Sequence, residues 1–296
     1  MSNTTAEIDP RKRYTQPPFE EPEQSPPGLE SEMRKKPDHG EESYEGAGRL
    51  KNRVVLVTGG DSGIGRAVAI ACAREGANIA ISFLPEEEED AKETARWVED
   101  AGRRSLELPG DVRDESYCES LVERTVKDFG QLDILINNAA FQATRESIDD
   151  VSSEEWDRTF RTNIYSMFYL SKAAARHMRP GSAIVNTTSV QAYKPTGSLL
   201  AYATTKGAIV TFTKALSELL IEKGIRVNAV APGPVWTPLI PATMPQEKVQ
   251  QFGANSAMKR PAQPAELAPA YVFLACGESS YITGSVMDLT GGKMLP

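Results

Sequence analysis

From Lys51 onward the chain alternates short apolar runs with longer helical ones, and this alternation limits its possible folds more than any single residue does. Strand-length runs lie at residues 54–57, 79–83, 105–108, 134–136, 183–186, 225–230 and 286–289, with helical segments near 63–75, 86–101, 115–129, 153–178, 199–223 and 265–275. Strands that are apolar at successive positions are buried on both faces, as in a parallel sheet covered by helices. Right-handed crossovers then give an α/β, doubly wound, seven-stranded parallel sheet, a Rossmann fold. No break marks a second domain, so residues 49–296 read as one domain behind an arm, residues 1–48.

The first strand runs into Thr58-Gly59-Gly60-Asp61-Ser62-Gly63-Ile64-Gly65, which opens the first helix. Glycine permits positive φ and close backbone approach there, and the free amides at a helix start favour phosphate, so the turn is read as a dinucleotide seat. Farther on, Tyr202 and Lys206 stand one turn apart in a run without proline, on one helix face. A phenol ordinarily titrates near pH 10, at about 10, and a neighbouring ammonium is expected to bring it toward neutrality. Ser189 follows the apolar run at 183–186, where a strand delivers a hydroxyl to the sheet's carboxyl edge.

Together with Asn137-Asn138-Ala139 and Pro232-Gly233-Pro234, these residues resemble the short-chain dehydrogenase/reductase superfamily, whose Ser, Tyr and Lys match Ser189, Tyr202 and Lys206 in order and spacing. The runs D-S-G-I-G-R-A and L-P-E-E-E-E-D-A narrow the resemblance to a long-armed bacterial group like the glucose/ribitol dehydrogenases and general-stress oxidoreductases. The resemblance implies hydride transfer between a nicotinamide and a carbonyl or secondary alcohol, such as a sugar alcohol, aldehyde or small ketone. Asn163, Ser189, Tyr202 and Lys206 would be the catalytic set, with Asn163 interrupting its helix and holding a water on the proton path. Asp111 and Val112 would border adenine, and Asn138, Ala139 and Ala140 would follow the next strand, Ala140 standing where the family commonly has glycine. Pro232, Gly233, Val235 and Thr237 would meet the nicotinamide end, while Lys206 and Tyr202 face its ribose. Ser189, Gln191 and Tyr202 are expected at the substrate, along with Phe141, Gln142, Tyr193 and Trp236. Residues 239–261, broken by Pro241 and Pro245, read as a mobile loop-like lid. Relatives pair their long helices between subunits, which implies a dimer or, as the expectation here, a homotetramer.

The coenzyme signal after the second strand is mixed. Ser82-Phe83-Leu84-Pro85 offers neither the acid that takes a ribose 2′-OH nor an Arg for a 2′-phosphate. Glu86 to Glu89 suit a helix N-terminus, and with Asp61 and no cation before Arg66 they disfavour a dianion. NAD is the expectation and NADP the alternative.

The arm carries seven prolines, many Glu and Gln and almost no aliphatic residues, so it cannot bury enough surface to fold alone. It is expected to be disordered or laid along a neighbouring subunit, with Tyr14, Phe19 and Tyr44 as anchors. A net charge of -8 excludes nucleic acid as a main partner, and no apolar run approaches the roughly 20 residues that cross a bilayer. Cys72, Cys118 and Cys276 are spaced for buried thiols in a reducing cytoplasm. His39 and His177 read as surface or helix-end residues, and no metal is expected. The rivals to an enzyme are a nucleotide-sensing protein that keeps the fold and a stress-protective oligomer that uses the arm.

Overall fold

The computed structural model describes residues 8–293; residues 1–7 of the arm and 294–296 of the domain lie outside the described residues. Among the described residues, β1 (Val54–Thr58), β2 (Asn78–Phe83), β3 (Ser105–Pro109), β4 (Ile134–Asn137), β5 (Ala183–Thr187), β6 (Arg226–Pro232) and β7 (Val286–Leu289) form one seven-stranded sheet. Every pairing is parallel, in the order β3-β2-β1-β4-β5-β6-β7. Alternate residues feed opposite faces of the sheet. Val55 and Val57 of β1, with Ile79 and Ile81 of β2, pack under α1 (Gly63–Arg74), α2 (Glu88–Asp100) and a late helix, Pro264–Ala275. Leu56 and Ala80 face the other way, onto α3 (Glu115–Phe129) and the helices after β4 and β5.

The long helix expected at 153–178 is divided. α4 (Ser153–Phe160) passes into a π-turn at Arg161–Tyr165 and then α5 (Ser166–Ala174), so the interruption falls on Asn163. α6 (Leu200–Ile221) carries Tyr202 and Lys206. The region expected to be loop-like instead holds two short helices, α7 (Leu239–Thr243) and α8 (Gln246–Gln250), before α9 (Pro264–Ala275). Pro241 lies inside α7 but within its first turn, where the backbone N–H it lacks has no helical partner to lose.

The arm lies over its own domain. Phe19 stacks on Trp236 with ring centroids 4.1 Å apart, its amide donates to the Gln250 carbonyl at 3.0 Å, and the Trp236 indole N–H donates to the Lys35 carbonyl at 2.8 Å. Trp236 is 0% exposed, so it faces the arm and not the substrate, a correction its place beside Pro234 could not reveal. His39 is also no surface residue: it is 1% exposed, with Nε2 3.0 Å from a Glu30 carboxylate oxygen. Burial disfavours its charge, but the Glu30 and Glu41 carboxylates outweigh that and raise its pKa. His177 is exposed just past α5, and the three cysteines are free and buried.

The Trp236 contact gives a stability test. Trp236→Phe keeps an aromatic face for Phe19 but leaves the Lys35 carbonyl without its donor and a gap beside it. We expect a loss of about 1–3 kcal/mol, read as a lower urea midpoint at unchanged slope; an unmoved midpoint would mean the arm does not seat there.

Candidate active site

At the carboxyl edge the strand order reverses between β1 and β4, leaving a crevice at the switch point. The crevice is a cavity of about 380 Å³ bordered by the glycine turn, the ends of β4, β5 and β6, and the face of α6 that carries Tyr202.

Thr58 stands behind the wall. Its hydroxyl accepts from the amides of Asn138 (3.0 Å) and Ala139 (3.1 Å), joining the ends of β1 and β4, and the Asn138 side chain donates back to the Gly59 carbonyl at 3.1 Å. Gly65 too lies behind the cavity, where the turn packs on itself: a Cβ there would lie 1.7 Å from the Gly59 carbonyl oxygen, so only glycine fits. Gly59, Asp61, Ser62, Gly63 and Ile64 line the cavity. Asp111 and Val112 border it opposite, with Asp111 paired to Arg113. Asn138, Ala139, Ala140, Pro232, Gly233, Val235 and Thr237 complete the walls.

Asp61 is 1% exposed, and its Oδ2 has no hydrogen-bond partner. A buried acceptor without a donor fits a ligand hydroxyl, so this wall suits a ribose. Glu87 stands in the same wall, its carboxylate accepting from the Leu84 amide at 2.8 Å. Burial pushes both carboxyls upward, helped at Glu87 by the charge of Asp61 and at Asp61 by that of Asp90.

Tyr202, Ser189 and Lys206 meet on the opposite side. β5 ends at Thr187, and the next two residues carry Ser189 to the cavity edge on the side of Tyr202, where its hydroxyl accepts the Gln191 amide at 3.2 Å. Lys206 is 1% exposed, with Nζ donating to the Thr187 carbonyl at 2.9 Å and lying 5.2 Å from the Tyr202 ring centroid. Burial pushes Tyr202 up to about 12, the neighbouring Ser189 hydroxyl only partly opposing it, and pulls Lys206 down to about 7. The expected lowering of the phenol by its ammonium is therefore reversed. Desolvation penalises both charges, and an amine that is half neutral near pH 7 offers little attraction.

Asn163 is fully buried. Its carboxamide accepts from the Phe141 amide (2.8 Å) and donates to the Phe141 carbonyl (2.9 Å) and the Thr205 hydroxyl (3.0 Å), binding the loop after β4 to α6. Gln191, Phe141 and Gln142 line the cavity, whereas Tyr193 and Trp236 are not part of its wall.

The chain matches the family described as enoyl-(acyl carrier protein) reductase over residues 59–293. General stress protein 39 of Bacillus subtilis is 54% identical, with 91% of this chain and 94% of that one covered. The chain belongs to the short-chain dehydrogenase/reductase superfamily. NADPH-dependent aldehyde reductase 1 of Arabidopsis thaliana is 47% identical over 91% of this chain and 96% of that one. Glucose and ribitol dehydrogenase of Daucus carota is 46% identical, over 92% of this chain and 96% of that one. A short-chain dehydrogenase from Burkholderia cenocepacia J2315, solved in complex with NADP, superposes with a TM-score of 0.77 at 33% identity, over 82% of this chain and 98% of that one. The protein is accordingly an NAD(P)-dependent oxidoreductase acting between alcohol and carbonyl groups.

Sequence reasoning on this superfamily member missed one wall. Pro26 and Pro27 of the arm line the crevice, as does Arg158 of α4, whereas Met244 and Phe252 belong to the stretch already expected over the substrate. Only the aromatic residues of the arm hinted that it docks, and nothing local said where.

Proposed function

We propose that the protein interconverts a small aldehyde, ketone or sugar alcohol by a Ser-Tyr-Lys mechanism, with NAD preferred. The observation that carries this reading is the Ser189–Tyr202 hydroxyl pair beside buried Lys206, in the same crevice as the glycine turn. The nicotinamide coenzyme supplies or accepts the hydride. In reduction, Tyr202 gives its proton to the carbonyl oxygen, and a phenol held near 12 is fully protonated and ready to donate at neutral pH. Ser189 donates to the developing oxyanion. Lys206 holds ribose hydroxyls, and Asn163 keeps the loop after β4 against α6, so its part in the proton path is to position the groups around it.

NAD is preferred because the Asp61–Glu87 wall presents two carboxyls, and two of the cations near it are spent: Arg113 pairs Asp111, and Arg66 pairs Glu30 at 2.6 Å, while Arg158 in the same crevice lies over the Phe141 ring. A dianionic 2′-phosphate at that wall would have to draw Arg113 or Arg66 away from its carboxylate. The NADP-bound structural relative and the relative named for NADPH favour the other reading. A fluorescence titration decides between them: NADH is expected to bind at least about tenfold tighter, about 1.4 kcal/mol, and equal or reversed affinities would overturn the preference. A panel of aldehydes, ketones and sugar alcohols with the preferred coenzyme then finds the substrate, and binding with no turnover on any member would instead support a sensing or protective role.

The assembly we propose is a homotetramer, since Tyr165, Phe168, Leu219 and Ile221 stand 40%, 48%, 72% and 46% exposed on and beside α5 and α6. Apolar helix surface of this kind is normally covered by another subunit. We place the enzyme in the cytoplasm; no helix among the described residues is long and apolar enough to cross a membrane.

A further inference from the structure

The arm touches the coenzyme crevice at three points of different chemistry. Pro26 and Pro27 stand in the crevice wall together with Gly63 and Val235. Behind that wall, the buried Glu30 carboxylate bonds the Arg66 guanidinium at 2.6 Å and accepts the Gly63 amide at 3.4 Å. Arg66 in turn donates to the Asp61 carbonyl at 2.9 Å and to the Asp90 carbonyl at 2.9 Å. A carboxylate from the arm thereby fixes both ends of the Asp61–Gly63 bend, and Asp90 answers by accepting the Glu30 amide at 2.7 Å. On the far side, Gly28 fits against α7 so closely that a Cβ would lie 2.7 Å from the Pro238 carbonyl oxygen, and its φ of +88° already excludes most side chains. The Gln24 amide donates to the Pro241 carbonyl at 3.3 Å alongside it.

We propose that the arm is a working part of the coenzyme site, a strap that holds the glycine turn through Glu30 and the α7 segment through Gly28, with Glu30 as a positioning residue. Buried ion pairs are costly to form and costly to break, and this one lies where it fixes the backbone that must meet a diphosphate. Releasing it lets the bend and α7 sample other arrangements, and the apparent coenzyme affinity falls by the fraction of molecules still in the right one. The inference rests on the assignment of this crevice to a nicotinamide dinucleotide.

The test compares three variants of the full chain by NADH fluorescence titration, thermal melting and steady-state kinetics. Glu30→Gln and Gly28→Val are expected to weaken NADH binding by about tenfold while kcat at saturating coenzyme changes little. Tyr14→Phe removes an arm anchor away from the crevice, the bond to Asp38 at 2.8 Å, and should lower the melting temperature with NADH affinity unchanged. NADH affinities of Glu30→Gln and Gly28→Val within twofold of wild type would overturn the proposal. So would an equal loss in Tyr14→Phe, since the arm would then act only through overall stability. If Glu30→Gln does not fold, Gly28→Val carries the same readings. Wild-type protein that binds neither NADH nor NADPH would refute the dinucleotide assignment itself, a different outcome from variants that bind as wild type does.

Discussion

Replacing Tyr202 with phenylalanine is expected to lower kcat by about a thousandfold, roughly 4 kcal/mol of barrier, while the dissociation constant of the coenzyme stays within about twofold. The ring keeps its place on α6, Lys206 keeps its bond to the Thr187 carbonyl, and only the hydroxyl beside Ser189 is lost. The pH profile gives a second reading. With the phenol raised to about 12, its ionised fraction climbs with pH across the whole accessible range. Alcohol oxidation, which needs the phenolate as base, should therefore rise with pH in the wild type and lose that rise in the variant. Turnover within tenfold of wild type would remove Tyr202 from the chemistry.

Lys206→Met should divide function from stability. Methionine keeps the side chain's volume and apolar stem but removes the amine. We expect kcat to fall by about a hundredfold or more and coenzyme binding to weaken as the ribose contact goes. The fold should respond in the opposite direction. Burial lowers Lys206 from 10.5 to about 7, so the unfolded chain binds a proton more readily than the folded one between those values. Stability accordingly rises with pH through this window, and below it the native state bears the full cost of the buried amine, on the order of 5 kcal/mol before the lost Thr187 bond is counted against it. At pH 7 the variant should melt higher than wild type, with the gap closing toward pH 10. A variant that melts lower at pH 7 and shows the same pH dependence would mean that Lys206 is charged and satisfied in the fold. The position would then be one where activity is maintained at the expense of stability only in appearance.

What could be read from the sequence was what is local. The apolar runs at 54–57 and 79–83 place β1 and β2, and the spacing from Gly59 to Gly65 identifies the turn, because period and glycine chemistry act over a few residues. The π-turn at Asn163 was legible only through resemblance, since a polar residue inside a helix gives no sign of bonding the Phe141 backbone. Charge at the active site was misread for a physical reason: adjacency of Tyr202 and Lys206 can be read from sequence, but their desolvation depends on everything packed around them. The arm was the largest miss. Its composition is that of a segment unable to fold alone, which says nothing about a core borrowed from elsewhere, and Phe19 finds one with Trp236, Ile240 and Val249.

The arm leaves the ribosome before the domain does, yet several of its partners come late. Lys35 waits 201 residues for the Trp236 indole, Asp38 waits 225 for Gln263, and Pro10 waits 250 for Arg260. Contacts across such separations form late, because the loops they close are long and the surfaces they need must already exist. During synthesis the amino-terminal segment therefore stays open to proteases and chaperones until the rest of the chain has been made. Its full docking becomes a late step of maturation, and a truncated product ending before Trp236 would display a partly undocked tail by which quality control could recognise it.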